Sequence, residues 1–172
     1  YEGSPEVNAF SSKFDLSFGG GARLTQLERK GMSLFVGKGK CAACHTLRGP
    51  GSLFTDYTYD NLGLPKNPAN PVYSSNPTFV DPGLGGFLAR RADYAAYAEA
   101  NLGKHKVPTL RNVGLGLPAI TKAYGHNGYF KTLAGIVNFY NTRDVKPMCP
   151  GDYTEAQALA AKCWPAPEVA AN

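Results

Sequence analysis

Two thiols and an imidazole fall within five residues at Cys41-Ala42-Ala43-Cys44-His45. Cys-x-x-Cys-His is the spacing that attaches a c-type haem. The cysteines form thioether links to the porphyrin vinyls, and the adjacent histidine becomes an axial iron ligand. One such string predicts one covalent haem c, held by Cys41 and Cys44 with His45 as proximal ligand. A structural zinc site would need a second closely spaced pair, and a redox dithiol would sit at a strand-to-helix turn. Cys149 and Cys163 are unsuitably spaced for the first, and the residues before Cys41 read as a helix, against the second.

Attachment through this string implies export in bacteria, so a periplasmic or otherwise oxidising location is expected. Cys149 and Cys163 then read as a disulfide closing the loop between them, with two buried thiols as the alternative. The net charge of +5 is modest and spread along the chain. Lys30, Lys38 and Lys40 gather before the haem string, where they would steer an acidic docking surface on a redox partner protein or simply form a solvated helix face. The basic residues are not interleaved with aromatics as on a nucleic-acid surface, so no nucleic-acid partner is expected. No apolar run is long enough for a transmembrane segment.

The elements that must hold the string in place are few. With 20 Gly and 13 Pro in 172 residues, long ordered loops are expected to separate a small number of helices. Residues 1–22 are rich in Gly, Ser and Asn and read as an extended N-terminal arm, leaving 23–172 as one haem domain. Thr25-Gln26-Leu27-Glu28 has the form of a capping box and opens a helix with Leu27, Gly31, Leu34 and Phe35 on one face, stopped by Gly37 and Gly39 just before Cys41. Met32 within it reads as core. Prolines at 50, 65, 68, 71, 77 and 82 predict a long loop able to wrap a haem edge. A second helix is expected over Ala89 to Leu102 and a third from Leu133 to Tyr140 with Leu133, Ile136, Val137 and Tyr140 as its apolar face. A fourth is expected from Thr154 to Lys162. The fold class expected is all-α: a cytochrome c-like domain of about four helices around one haem, with long Gly/Pro-rich loops.

Three further strings carry a resemblance. Phe54-Thr55-Asp56-Tyr57-Thr58-Tyr59-Asp60-Asn61-Leu62-Gly63-Leu64-Pro65 follows the haem string. Val107-Pro108-Thr109-Leu110-Arg111-Asn112-Val113 comes later, and Tyr124-Gly125-His126-Asn127-Gly128-Tyr129-Phe130-Lys131-Thr132-Leu133 precedes Phe139-Tyr140-Asn141. From Thr25 to Asn141, in this order, the chain resembles the C-terminal, electron-transferring haem domain of the bacterial di-haem cytochrome c peroxidase family, including its methylamine-dehydrogenase-maturation branch. The family has two Cys-x-x-Cys-His strings and this sequence has one. Gly114 to Ile120 is an insertion relative to the family, and the family's terminal amphipathic helix has no obvious equivalent.

The resemblance implies Tyr140 as distal iron ligand, with Met148 in Lys146-Pro147-Met148-Cys149-Pro150 as the rival, since that string resembles the Pro-flanked Met loop of small class I cytochromes. A thioether would raise the potential and a phenolate would lower it. Arg111 and Tyr57 are possible haem contacts, each with an ordinary structural role as the alternative. His126 is expected to hydrogen-bond near the haem or a helix start. His105, in Lys104-His105-Lys106, is expected to be solvated. Because the family's peroxide-reacting haem lies in the other domain, the expected function is an exported mono-haem cytochrome carrying single electrons between redox partners, an electron carrier more than an enzyme. The alternatives are a haem peroxidase-like enzyme with a displaceable distal ligand, or the haem subunit of a larger periplasmic dehydrogenase complex.

Overall fold

The computed structural model describes residue 4 and residues 6–170. The start of the expected N-terminal arm, residues 1–3 and 5, and the last two residues lie outside them. The described chain forms five α-helices, α1 (Lys13–Phe18), α2 (Gln26–Val36), α3 (Gly83–Leu88), α4 (Leu133–Thr142) and α5 (Glu155–Ala161), with short 3-10 turns between them. Two short strands, β1 (Tyr59–Asp60) and β2 (His105–Lys106), form a two-stranded sheet.

The all-α expectation is therefore corrected. The helices are short, and most of the intervening chain is turn and extended loop. Six prolines between residues 50 and 82 remove backbone donors and hold φ near the extended and turn regions. The expected helix over 89–102 is also absent. Its place is taken by the 3-10 turns Ala95–Tyr97 and Glu99–Asn101, while α3 lies earlier, in Gly-Leu-Gly-Gly-Phe-Leu. Close backbone packing explains α3: a Cβ on Gly85 would stand 2.7 Å from the Ala98 carbonyl oxygen and 2.8 Å from the Leu102 backbone. Only glycine admits that approach. The stretch 1–22 is not extended throughout, because Ser12 caps α1 and exchanges hydrogen bonds with Asp15 in a capping box.

The chain divides into two compact units. The first comprises Tyr1–Thr58 and Lys106–Leu115. In it, Thr25 caps α2 as the sequence suggests, with Glu28 answering. No α2 residue is buried, and Leu27 is 78% exposed. The rings of Phe14, Phe18, Phe35 and Phe54 meet edge to face, with Phe14 and Phe54 centroids 5.2 Å apart. A buried ion pair runs from Arg111 to Asp15, which also accepts a hydrogen bond from the Gly51 backbone. Thr55 donates its hydroxyl to the Val107 carbonyl at 2.6 Å, and the Val107 N–H donates to the Thr58 carbonyl at 2.9 Å. The second half of the unit is thus stitched to the first.

The second unit comprises Tyr59–His105 and Gly116–Asn172 and holds an aromatic core. Leu64, Tyr129, Phe130, Phe139, Ala158 and Trp164 are buried there with Cys149 and Cys163. The buried Glu155 at the start of α5 accepts from the Lys131 backbone at 2.5 Å and from the Thr132 hydroxyl at 3.1 Å, and Thr132 in turn caps α4. One carboxylate therefore ties the beginnings of two helices. The apolar face of α4 differs from the expected one: Gly135 and Phe139 are buried, whereas Val137 is 63% exposed.

Cys149 and Cys163 form a disulfide with their Cα atoms 5.1 Å apart. The segments that carry them are paired as well, since the Cys149 N–H donates to the Trp164 carbonyl and the Trp164 N–H to that of Pro147. A separation of 14 residues gives a closed loop whose cross-link is worth about 3 kcal/mol. Replacing both cysteines with serine is expected to lower unfolding free energy by that amount in guanidinium titrations. An unchanged midpoint would show that the backbone pairing alone holds the segment.

Candidate functional site

Cys41 opens and Cys44 caps a 3-10 turn, Cys41–Ala43, that follows α2 after a break at Gly37 and Gly39. Lys40 adopts the left-handed conformation at φ 54°, which turns the chain out of the helix. The Cys44 N–H and the His45 N–H both donate to the Cys41 carbonyl, so the string is wound into one tight turn. That geometry sets the two sulfurs at neighbouring positions of the turn with the imidazole following at once. Neither thiol is in a disulfide; Cys41 is exposed and Cys44 half-buried.

His45 Nδ1 lies 2.8 Å from the Phe54 carbonyl oxygen. Donation from Nδ1–H fixes the tautomer and leaves Nε2 with its lone pair, which is how metal-binding histidines are oriented by an outer partner. Phe54 reaches this position at φ 55°, and Tyr57 follows at φ 66°. Both are uncommon values for aromatic residues and cost local strain. The Phe54 ring is held by Phe14 and Phe35, and the Arg111 guanidinium lies 5.3 Å from its centroid. Beside the string is a cavity of about 220 Å³ lined by Thr46, Arg48, Ser52, Leu53, Thr55 and Tyr57 among others. Two thiols outside any disulfide and a histidine with Nδ1 committed to a main-chain carbonyl are the side chains that would hold a c-type haem.

The other residues singled out from sequence fall as follows. Arg111 is engaged within the protein. Its side chain is 7% exposed, Nη1 and Nη2 bind both Asp15 oxygens at 2.6 and 2.9 Å, and Nε donates to the Ser52 carbonyl. This grip holds the Asp15 carboxyl far below the ordinary carboxylate range, with the Arg111 hydrogen bond as the largest cause. Tyr57 is 59% exposed, with Lys106 Nζ 5.5 Å from its ring centroid. Tyr140 and Met148 are 48% and 68% exposed in the second unit. Lys30, Lys38 and Lys40 are exposed.

His105 is not the solvated residue expected: its Nε2 is buried, and burial followed by the neighbouring His126 pushes its pKa down. His126 stacks on it at 3.7 Å and makes a hydrogen bond to Glu168. Their proximity, with Asp81, is absent from the sequence reading, and the spacing of 24 and 21 residues carries no local periodicity to reveal it. Among the described residues, no helix is long and apolar enough to cross a membrane.

No family model matches the chain. Among curated proteins, methylamine utilization protein MauG of Paracoccus denitrificans (strain Pd 1222) is 34% identical over 177 residues, spanning 100% of this chain and 42% of MauG. Cytochrome-c peroxidase IdrP2 of Denitromonas iodatirespirans is 33% identical over 132 residues, 72% of this chain and 34% of that protein. Cytochrome-c peroxidase IdrP1 of the same organism is 31% identical over 131 residues, 70% and 32% respectively. The chain thus spans less than half the length of each of these relatives. The expectation of an electron carrier more than an enzyme is overturned by these comparisons, since several relatives are named as peroxidases. Matched by MauG along its whole length and by the peroxidases over 70–72% of it, the chain is a relative of the bacterial di-haem cytochrome c peroxidase and MauG family.

Proposed function

We propose that the chain is the haem c-bearing part of an exported, peroxidase-type redox enzyme that exchanges electrons with partner proteins in the bacterial periplasm. The observation that carries this reading is the His45 arrangement. A histidine whose Nδ1 is committed to a main-chain carbonyl, immediately after two thiols outside any disulfide, is prepared to present Nε2 to an iron. Cys41 and Cys44 would hold the porphyrin through thioether bonds, and the exposed Lys30, Lys38 and Lys40 would receive an acidic partner. The haem would supply one-electron chemistry when bound, and Tyr140 or Met148 would serve as its second protein ligand and so set potential and ligand access. With a haem bound, His45 would be the fixed ligand, and its hydrogen bond to the Phe54 carbonyl would raise the basicity of the coordinating nitrogen.

Haem-stained denaturing gels test the attachment. The protein is expected to keep its stain, whereas Cys41→Ala/Cys44→Ala loses it. Stain retained in the double variant would refute the assignment. Peroxide-dependent oxidation of a reduced donor by the full chain tests the enzyme reading, and a complete lack of turnover would count against it. A ferric absorption band near 695 nm, a general mark of His/Met ligation, would select Met148 over Tyr140.

A further inference from the structure

The chain has three histidines. His45 belongs to the haem string, and the other two meet in the second unit beside a carboxylate. His105, His126 and Asp81 each offer a ligand atom, and the three atoms all lie within 4.8 Å of one another. This site is independent of the haem reading. It is built from the segment before α3, from β2 and from the turn after residue 120, so no sequence motif spells it out.

Three observations bear on what the cluster binds. His105 Nε2 is buried and has no hydrogen-bond partner, a state that costs free energy unless something fills it. His126 Nε2 lies 3.3 Å from Oε2 of Glu168, whose side chain is 3% exposed. A neutral His126 donating there presents Nδ1 as its free lone pair, the carboxylate-histidine pairing typical behind metal ligands. Glu168 Oε1 also accepts from the Asp81 backbone N–H at 3.2 Å and from the Tyr73 hydroxyl at 3.2 Å, and Oε2 accepts from Asn127 Nδ2 at 2.9 Å. One buried carboxylate therefore positions two of the three ligand residues. Asp81 spends Oδ1 on the Gly83 N–H, and a carboxylate retains acceptor capacity beyond one such bond.

We propose that Asp81, His105 and His126 bind a divalent transition-metal ion, zinc or copper, with Glu168 as the positioning residue. Two imidazoles and one carboxylate suit these ions and not calcium or magnesium, which take oxygen donors. A fourth position falls to water. The imidazoles are stacked at 8° between planes, so coordination of one ion by both requires the rings to tilt out of parallel. Such a metal would fasten three segments that are far apart in sequence.

The test uses chelator-treated holoprotein, in which the haem iron occupies His45. Zinc titrated by calorimetry is expected to bind at one equivalent, and His105→Ala and Asp81→Asn are each expected to weaken it at least about tenfold. Copper(II) electron paramagnetic resonance is expected to show coupling to two nitrogens in the parent and one in His105→Ala. Haem absorption and circular dichroism report whether each variant is folded. Should a variant fail to fold, the nitrogen count in the parent decides alone. No zinc binding by the parent, equal affinity in both folded variants, or copper without two-nitrogen coupling would each overturn the proposal.

Discussion

Replacing Arg111 with alanine is expected to destabilise the protein by about 3–5 kcal/mol, the cost of stranding one partner of a buried ion pair. Asp15, 7% exposed in the parent, would be left with its carboxylate facing the space vacated by the guanidinium. Only Ser12 and the Gly51 N–H would remain to it. Loss of Nε would also free the Ser52 carbonyl beside the cavity that adjoins the haem string. Urea titration measures the effect, and a loss under about 1 kcal/mol would mean that water enters and resolvates Asp15. The double variant Arg111→Ala/Asp15→Asn is expected to recover part of the loss, because the stranded charge is gone.

The same pair sets an acid limit. The Asp15 carboxyl is depressed below its ordinary value of 3.8, first by the Arg111 hydrogen bond. A depressed acid contributes stability that is fully present above the unfolded value and is lost as pH falls through the folded one. The parent is therefore expected to lose this contribution only below about pH 4, while Arg111→Ala lacks most of it at any pH. The stability gap between the two should narrow as the solution is acidified from pH 5 to 2.

The second large effect is expected in the second unit. Phe130 is 0% exposed, with ring centroids of Tyr129, Phe139 and Trp164 at 5.0, 5.2 and 6.0 Å. Truncation to alanine removes the ring on which these three converge and is expected to cost about 3–5 kcal/mol. The backbone cannot follow inward, because the Phe130 N–H and carbonyl both pair with Tyr124. Phe130→Leu keeps most of the volume and is expected to lose clearly less. Equal losses for alanine and leucine would assign the effect to ring geometry in place of the cavity.

Local chemistry was legible in the chain and long-range approach was not. The capping box at Thr25 could be read because cap and answering side chain lie three residues apart, and the structure adds one of the same spacing at Thr154. The haem string is likewise contiguous. The helix expected over 89–102 failed for the opposite reason: its alanines favour a helix in isolation, but the glycines of α3 let that helix press against the backbone at 98 and 102. Tertiary packing then broke the second segment into 3-10 turns. Arg111 showed its guanidinium but not its partner, because Asp15 lies 96 residues away. The Asp81, His105 and His126 cluster was hidden by the same distance in sequence.

The acceptor that fixes His45 is the main-chain oxygen of Phe54. No side-chain substitution at position 54 can delete it, so the histidine's tautomer is protected from mutation at that position in a way that a carboxylate partner would not be. What remains adjustable is the torsion at residue 54, held at φ 55° by the packing of its ring. Variation among the surrounding aromatics would therefore rotate the imidazole by degrees without releasing it, a fine adjustment of the ring plane in which the hydrogen bond to the Phe54 carbonyl is never lost.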